Sequence, residues 1–174
     1  MRIILAPIDF SEASQRVVDV AAGLACALHG RVVLLHVVRM PPLLTGLEVE
    51  VKNVAEMTLA MEKAAEGKLV EFKRALEKNS VETQTRRLTG HAAADIVEQA
   101  QKLSADYIVI GSHGHTAFYD LTLGSTTSAV IKRSTCPVIV VPPIKERSAQ
   151  AQRRSVNSII DGLLFETTAG RRGT

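Results

Sequence analysis

Residues 2–8, RIILAPI, and 31–38, RVVLLHVV, are short and almost continuously apolar, and the segment between them is not. A strand that is apolar on both faces must be covered on both faces, which is the situation of parallel strands in a layered α/β fold. Between the two runs, Val17, Ala21, Leu24 and Leu28 recur at spacings of four, three and four, which predicts a helix. Ser11 is placed as its N-cap, Glu12 stands in its first turn, and Gly30 is placed to end it. One βαβ unit is therefore written into the first forty residues.

The same alternation continues. Pro41, Pro42 and Gly46 mark a loop, and Val54, Met57, Met61, Ala65, Leu69, Phe72 and Leu76 then mark one face of a long helix reaching about Lys78. Glu62, Lys63, Glu66 and Lys73 fall on its other faces and read as solvated, with surface ion pairs of small value. Residues 81–88, VETQTRRL, alternate like an edge strand; a helix over 92–103 carries Ile96, Ala100 and Leu103 inward. A strand at 106–110, a helix over 125–133 and a strand at 137–141 complete five strands and four helices. Such alternation predicts an open five-stranded parallel sheet with helices on both faces. Its ligand then lies at the carboxyl ends of the strands, where the strand order reverses.

Aromatic residues are 3% of the chain and Trp is absent, so the core must be aliphatic and base stacking on aromatic platforms is a poor route to nucleic acid. The formal charge of +3 does not imply a basic binding face either. Residues 144–174 hold six of the 21 basic and three of the 18 acidic residues, leaving 15 of each in residues 1–143. Cys26 and Cys136 form no metal or redox motif, and neither a signal peptide nor a membrane-length apolar run is written in the sequence, which reads as a reduced cytoplasmic protein. The domain is expected to end near Pro142-Pro143, followed by a basic extension over 144–174. In that extension Val156, Ile159, Ile160, Leu163 and Leu164 recur at helical spacing within 155–166, the pattern of a short amphipathic helix that would order only by docking on an apolar surface.

The stretch GSHGHTAFYDLTLGSTT, residues 111–127, follows directly on the buried run Tyr107–Ile110. Gly111 and Gly114 either let the backbone approach a ligand or only turn the chain. Gly124, Ser125, Thr126 and Thr127 either present amides and hydroxyls to a phosphate or only cap a helix. No G-x-x-x-x-G-K-[ST] phosphate loop, no G-x-G-x-x-G after the first strand and no G-x-S-x-G elbow occurs. Asp9, directly after a buried strand, either faces a ligand or caps the first helix. His29, His36 and His91 have no nucleophile or metal partner visible in the sequence and read as structural; His113 and His115 lie in the glycine stretch and are pocket candidates.

Three separated motifs resemble the universal stress protein family. They are Gly111-x2-Gly114-x9-Gly124-Ser125, the opening Ala6-Pro7-Ile8-Asp9-Phe10-Ser11-Glu12, and the pair Leu35-His36-Val37 and Cys136–Val141 at two further strands. The resemblance covers residues 1–143 and implies the Rossmann-like fold of that family, related to the adenine nucleotide alpha hydrolases, with strand order 3-2-1-4-5. It implies the ATP-binding branch. There Pro7, Ile8 and Asp9 line the adenosine end, and Val37 holds the adenine edge through its backbone. Gly111, His113 and Gly114 pass the ribose and phosphates, while Gly124, Ser125, Thr126 and Thr127 hold the phosphates. His115 stands where similar proteins often carry Arg or Lys. That weakens the expected preference for triphosphate over ADP or AMP and gives a bridging divalent ion, Mg2+ or Mn2+, a role. The implied function is nucleotide-dependent regulation in stress response. The alternatives are a slow ATPase or other nucleotide-dependent enzyme, and an interaction module indifferent to nucleotide. With no general base aimed at a phosphate, no Walker-type lysine and no second substrate motif, the residues support at most weak hydrolysis and offer no catalytic set. The resemblance also implies a homodimer through the last strand, since 137–141 is a short apolar edge, with a protein partner of unstated identity and no membrane.

Overall fold

The computed structural model describes residues 1–39, 51–113 and 123–142, the side chains of 51–55 excepted. Gly114, His115, the Pro41-Pro42 loop and residues 144–174, with the helix expected at 155–166, lie outside the described residues. Everything described belongs to the compact unit Met1–Pro143. The elements run β1 (Ile3–Pro7), α1 (Ala13–Ala27), β2 (Arg31–Arg39), α2 (Val51–Lys78), β3 (Thr83–Gly90), α3 (Ala92–Lys102), β4 (Tyr107–Gly111), α4 (Ser125–Arg133) and β5 (Val138–Val141). They build one sheet in the order β3-β2-β1-β4-β5, parallel at every pairing. The order reverses between β1 and β4, so the crevice at their carboxyl ends is where a ligand is expected.

The two-residue alternation of the strands sorts the aliphatic side chains into two layers. Ile4 and Ala6 of β1, Val32 and Leu34 of β2 and Val109 of β4 pack with Val17, Val18, Ala21 and Ala25 of α1 and Leu69 and Leu76 of α2. The residues between them, Leu5, Val33, Leu35, Ile108 and Ile110, pack with Ile96, Val97 and Ala100 of α3 and Val130 of α4. This is why the central strands read as unbroken apolar runs. Edge strand β3 alternates over Thr83–Arg86, with Thr83 buried and Gln84 and Arg86 exposed, but the alternation breaks where Arg86 and Arg87 are both exposed.

Three helices end in the same way, and not at glycine. Gly30 N–H donates to Ala25 O at 2.8 Å while His29, at φ 49°, donates to Cys26 O. Ser80 (φ 60°) with Val81, and Ser104 (φ 49°) with Ala105, repeat this Schellman arrangement after α2 and α3. The left-handed residue after α1 is therefore His29, where the sequence pointed to Gly30. Gly30 is needed for a different reason: a Cβ there would lie 2.6 Å from the Arg2 carbonyl oxygen, where the chain passes β1.

Two other expectations are corrected. Ser11 does not cap α1: the cap position is Glu12, without a side-chain bond, and the Ser11 hydroxyl is buried with no partner. The carboxylate two residues earlier does the local work, because Asp9 Oδ1 accepts from the Ser11 N–H at 3.0 Å and the Ser14 hydroxyl at 3.2 Å. Met57 and Met61 belong to the apolar stripe of α2 yet are each 49% exposed. This part of the helix precedes the stretch from Ala65 onward that packs on the sheet, and Met61 faces a cavity instead. Glu62 is also more than a solvated charge: it accepts from the Thr89 hydroxyl at 2.8 Å and pairs with Arg87 at 2.8 Å, joining α2 to β3. Among the described residues no helix is long and apolar enough to cross a membrane.

Candidate functional site

A cavity of about 520 Å³ opens at the carboxyl ends of β1, β2 and β4. That is within the usual range for small-molecule sites. Pro7, Ile8, Asp9, Val37, Gly111, His113, Gly124, Ser125, Thr126 and Thr127 all line it. The structure thus brings ten of the eleven sequence-selected residues together from four separate stretches; the eleventh, Gly114, lies outside the described residues.

On the β1 side the chain leaves the strand at Pro7 and turns through Ile8–Ser11 into α1. Ile8 N–H still donates to Leu35 O at 2.9 Å, while Ile8 O receives the His36 ring nitrogen Nδ1 at 2.8 Å. A carbonyl oxygen only accepts, so Nδ1 carries the proton, and His36 acts as a brace for the turn. Phe10 takes a left-handed φ of 63°, which side chains rarely adopt. Its ring lies 4.3 Å from that of His36 and 6.4 Å from that of Phe72, with Lys68 Nζ 5.2 Å from its centroid. The strained turn is held by this aromatic and cationic contact set.

On the β2 side the ladder with β1 ends at Pro7 opposite Leu35, while that with β3 continues through Val37 opposite Leu88. Leu35 O points to β1, since it receives Ile8 N–H. Backbone groups two residues apart in a strand face the same way, so Val37 N–H and C=O also face the β1 side, past the end of the ladder. That is the geometry by which an apolar residue can offer a donor and an acceptor to the edge of a heterocycle.

On the β4 side the glycine stretch is clamped at its base. Ser112 N–H donates to Val141 O at 2.8 Å and Gly124 N–H donates to Ser112 O at 2.9 Å. Both glycines are packing positions: a Cβ at Gly111 would lie 3.2 Å from His113 O, and one at Gly124 would lie 3.2 Å from Ser112 O. The first helical bond of α4 is Ser128 N–H to Gly124 O at 2.9 Å. The amides of Ser125, Thr126 and Thr127 precede it, at the positive end of the helix dipole. The Thr127 hydroxyl is not offered to a ligand, because it donates to Gly111 O at 2.7 Å and the residue is 3% exposed. Ser125 is exposed and Thr126 half-buried.

Sequence reasoning missed the cations. Arg39, the last residue of β2, and Lys68 of α2 both line the cavity, against the single carboxylate of Asp9 among the described lining residues. Arg39 was findable as the first charged residue after the apolar run of β2, hence at the strand's carboxyl end. Lys68 follows Ala64 and Ala65 by one helical turn, on the flank of the α2 stripe. Met61, Ala64 and Ala65 from α2 and Ala92 and Ile96 from α3 supply apolar wall. Among the described residues no group of three or more His, Cys, Asp or Glu is arranged to hold a metal ion.

Residues 1–142 match the model of the Universal stress protein family. Universal stress protein A homolog 1 of Coxiella burnetii is 33% identical over 138 residues, which are 79% of this chain and 94% of that protein. The solved structure of MJ0577, a universal stress protein of Methanocaldococcus jannaschii, is 30% identical with a TM-score of 0.74, covering 83% of this chain and 97% of that one. The universal stress protein from Archaeoglobus fulgidus, solved in complex with dAMP, is 25% identical with a TM-score of 0.53, covering 80% and 96%.

Proposed function

This chain belongs to the universal stress protein family, and we propose that it binds an adenine nucleotide, ATP or else ADP or AMP, and acts as a nucleotide-dependent regulatory protein. The observation that carries the proposal is the convergence of Pro7–Asp9, Val37, Gly111, His113 and Gly124–Thr127 on one cavity at the sheet's switch point. A family member with dAMP bound supports an adenine ligand. In this reading the adenine edge meets the Val37 backbone and the ribose lies between Asp9 and Gly111. The phosphates face the α4 amides and the Ser125 hydroxyl. Mg2+ or Mn2+ would enter with the phosphates. Gly114 would complete the loop beside them.

Regulation suits this lining better than turnover. The Asp9 oxygen Oδ1 is engaged with Ser11 and Ser14, which makes it a poor base for activating water. We place the protein in the cytoplasm. We also propose a homodimer through β5, an edge strand with Val138, Ile139 and Val140 half-buried.

Mass spectrometry of the denatured purified protein tests the ligand. Co-purified adenine nucleotide, with calorimetric binding of ATP and turnover near background, is expected. No bound nucleotide and no heat with millimolar ATP, ADP or AMP would overturn the reading, and rapid turnover would overturn the regulatory part of it.

A further inference from the structure

Arg39 lines the cavity from the carboxyl end of β2. It is exposed at the end of β2, makes no ion pair among the described residues, and its Nη2 donates to Thr126 Oγ1 at 3.4 Å, 87 residues away. Thr126 is the second residue of α4. A guanidinium at this point sits against the positive end of a helix dipole, whose first amides lack intrahelical acceptors. Like signs so placed repel, and a single long hydrogen bond to a neutral hydroxyl offsets little of that. An anion between the guanidinium and the α4 amides satisfies both at once. The planar fork of an arginine suits two phosphoryl oxygens together, in a way that a point charge does not.

We propose that Arg39 is the specificity residue that reads the phosphate chain of the bound nucleotide, reaching across from β2 to clamp phosphoryl oxygens against the first turn of α4. This rests on the nucleotide reading above and extends it. The cation of the phosphate end comes from β2, not from the glycine stretch, where this chain has His115. The site then selects nucleoside di- and triphosphates over monophosphates, and its affinity tracks the number of phosphate charges.

Titration calorimetry on the full chain with ATP, ADP, AMP and adenosine, for wild type, Arg39→Ala and Arg39→Lys, tests this. Arg39→Ala is expected to weaken ATP and ADP by about ten- to a hundredfold, the range for losing a hydrogen bond to a charged group. AMP should weaken less and adenosine not at all, and Arg39→Lys should restore part of the ATP affinity. Because Arg39 is exposed, the melting temperature of the variants should match wild type. If Arg39→Ala keeps the wild-type ratio of ATP to adenosine affinity, the role of Arg39 is refuted while nucleotide binding stands. If wild type binds none of the four ligands, the nucleotide reading and this inference fall together.

Discussion

The Thr127 hydroxyl donates to the Gly111 carbonyl oxygen at 2.7 Å, fastening the first turn of α4 to the last residue of β4. A hydroxyl spent in this way cannot also donate to a phosphate, so the two polar residues that flank Thr126 have different jobs. Ser125→Ala should lower ATP and ADP affinity while sparing adenosine and stability. Thr127→Ala should take the donor from the half-buried Gly111 carbonyl and cost about 0.5–1.5 kcal/mol of unfolding free energy. Urea denaturation beside calorimetry separates the two. Equal stability of both variants would contradict the assignment.

Gly124→Val should abolish ATP binding and loosen the fold as well. The added Cβ meets Ser112 O at 3.2 Å, and Ser112 is itself fastened to β5 through Val141. A branched side chain must push this clamp apart. The expected result is loss of ATP heat together with a melting temperature several degrees lower; loss of binding at unchanged stability would show that the clamp yields without strain.

Ser80→Gly and Ser104→Gly should each stabilise the protein by about 0.5–1 kcal/mol. Both serines hold left-handed backbone at helix ends, which for an L-residue costs roughly 1–2 kcal/mol, whereas glycine adopts it freely and loses part of the gain to its larger unfolded-state entropy. Chemical denaturation midpoints report the change, and a neutral or destabilising result would contradict the strain argument.

Acid should weaken the fold through Asp106 and Glu62. The Ile3 backbone N–H, then the Arg2 guanidinium, hold the Asp106 carboxyl below its ordinary value of 3.8; the Thr89 hydroxyl, then Arg87, hold Glu62 below its 4.5. A carboxyl depressed in the folded state contributes stability above its unfolded value, and that contribution is lost as pH falls through the folded one. Melting temperature should therefore drop below about pH 4. Asp106→Asn should flatten this acid limb, and an unaltered limb would show that the acid loss arises elsewhere.

Light scattering at micromolar concentration should give the mass of a homodimer, and a charge placed on the β5 edge by Ile139→Lys should return a monomer. Wild type running as a monomer would refute the β5 interface.

The sheet was legible because two-faced burial leaves an unmistakable mark: β1, β2 and β4 are apolar at every position that the two layers touch. Helix ends were less so. A Schellman turn needs a backbone shape and not a glycine, and His29, Ser80 and Ser104 supply that shape at a strain the sequence does not display. The glycine spacing located the candidate pocket; Arg39 could have been found from its place at the end of the apolar run of β2, whereas Lys68 reaches the cavity only through the packing of α2 on the sheet. Hydroxyl chemistry was the least legible part: Ser11 is not the cap, Asp9 accepts from Ser11 and Ser14 within its own turn, and Thr127 is committed to Gly111, so which polar groups are already engaged depends on backbone geometry that residue types do not display.

Phe10 offers a practical handle. The chain contains no Trp, so its near-ultraviolet fluorescence is weak and free of any indole signal. An indole placed by Phe10→Trp would sit in the cavity wall between the His36 and Phe72 rings, as the lone indole, excited at wavelengths that the two tyrosines do not absorb. Quenching by an adenine ring arriving beside it would then turn occupancy into an optical readout, fast enough to time the arrival and departure of ligand in a stopped-flow cell.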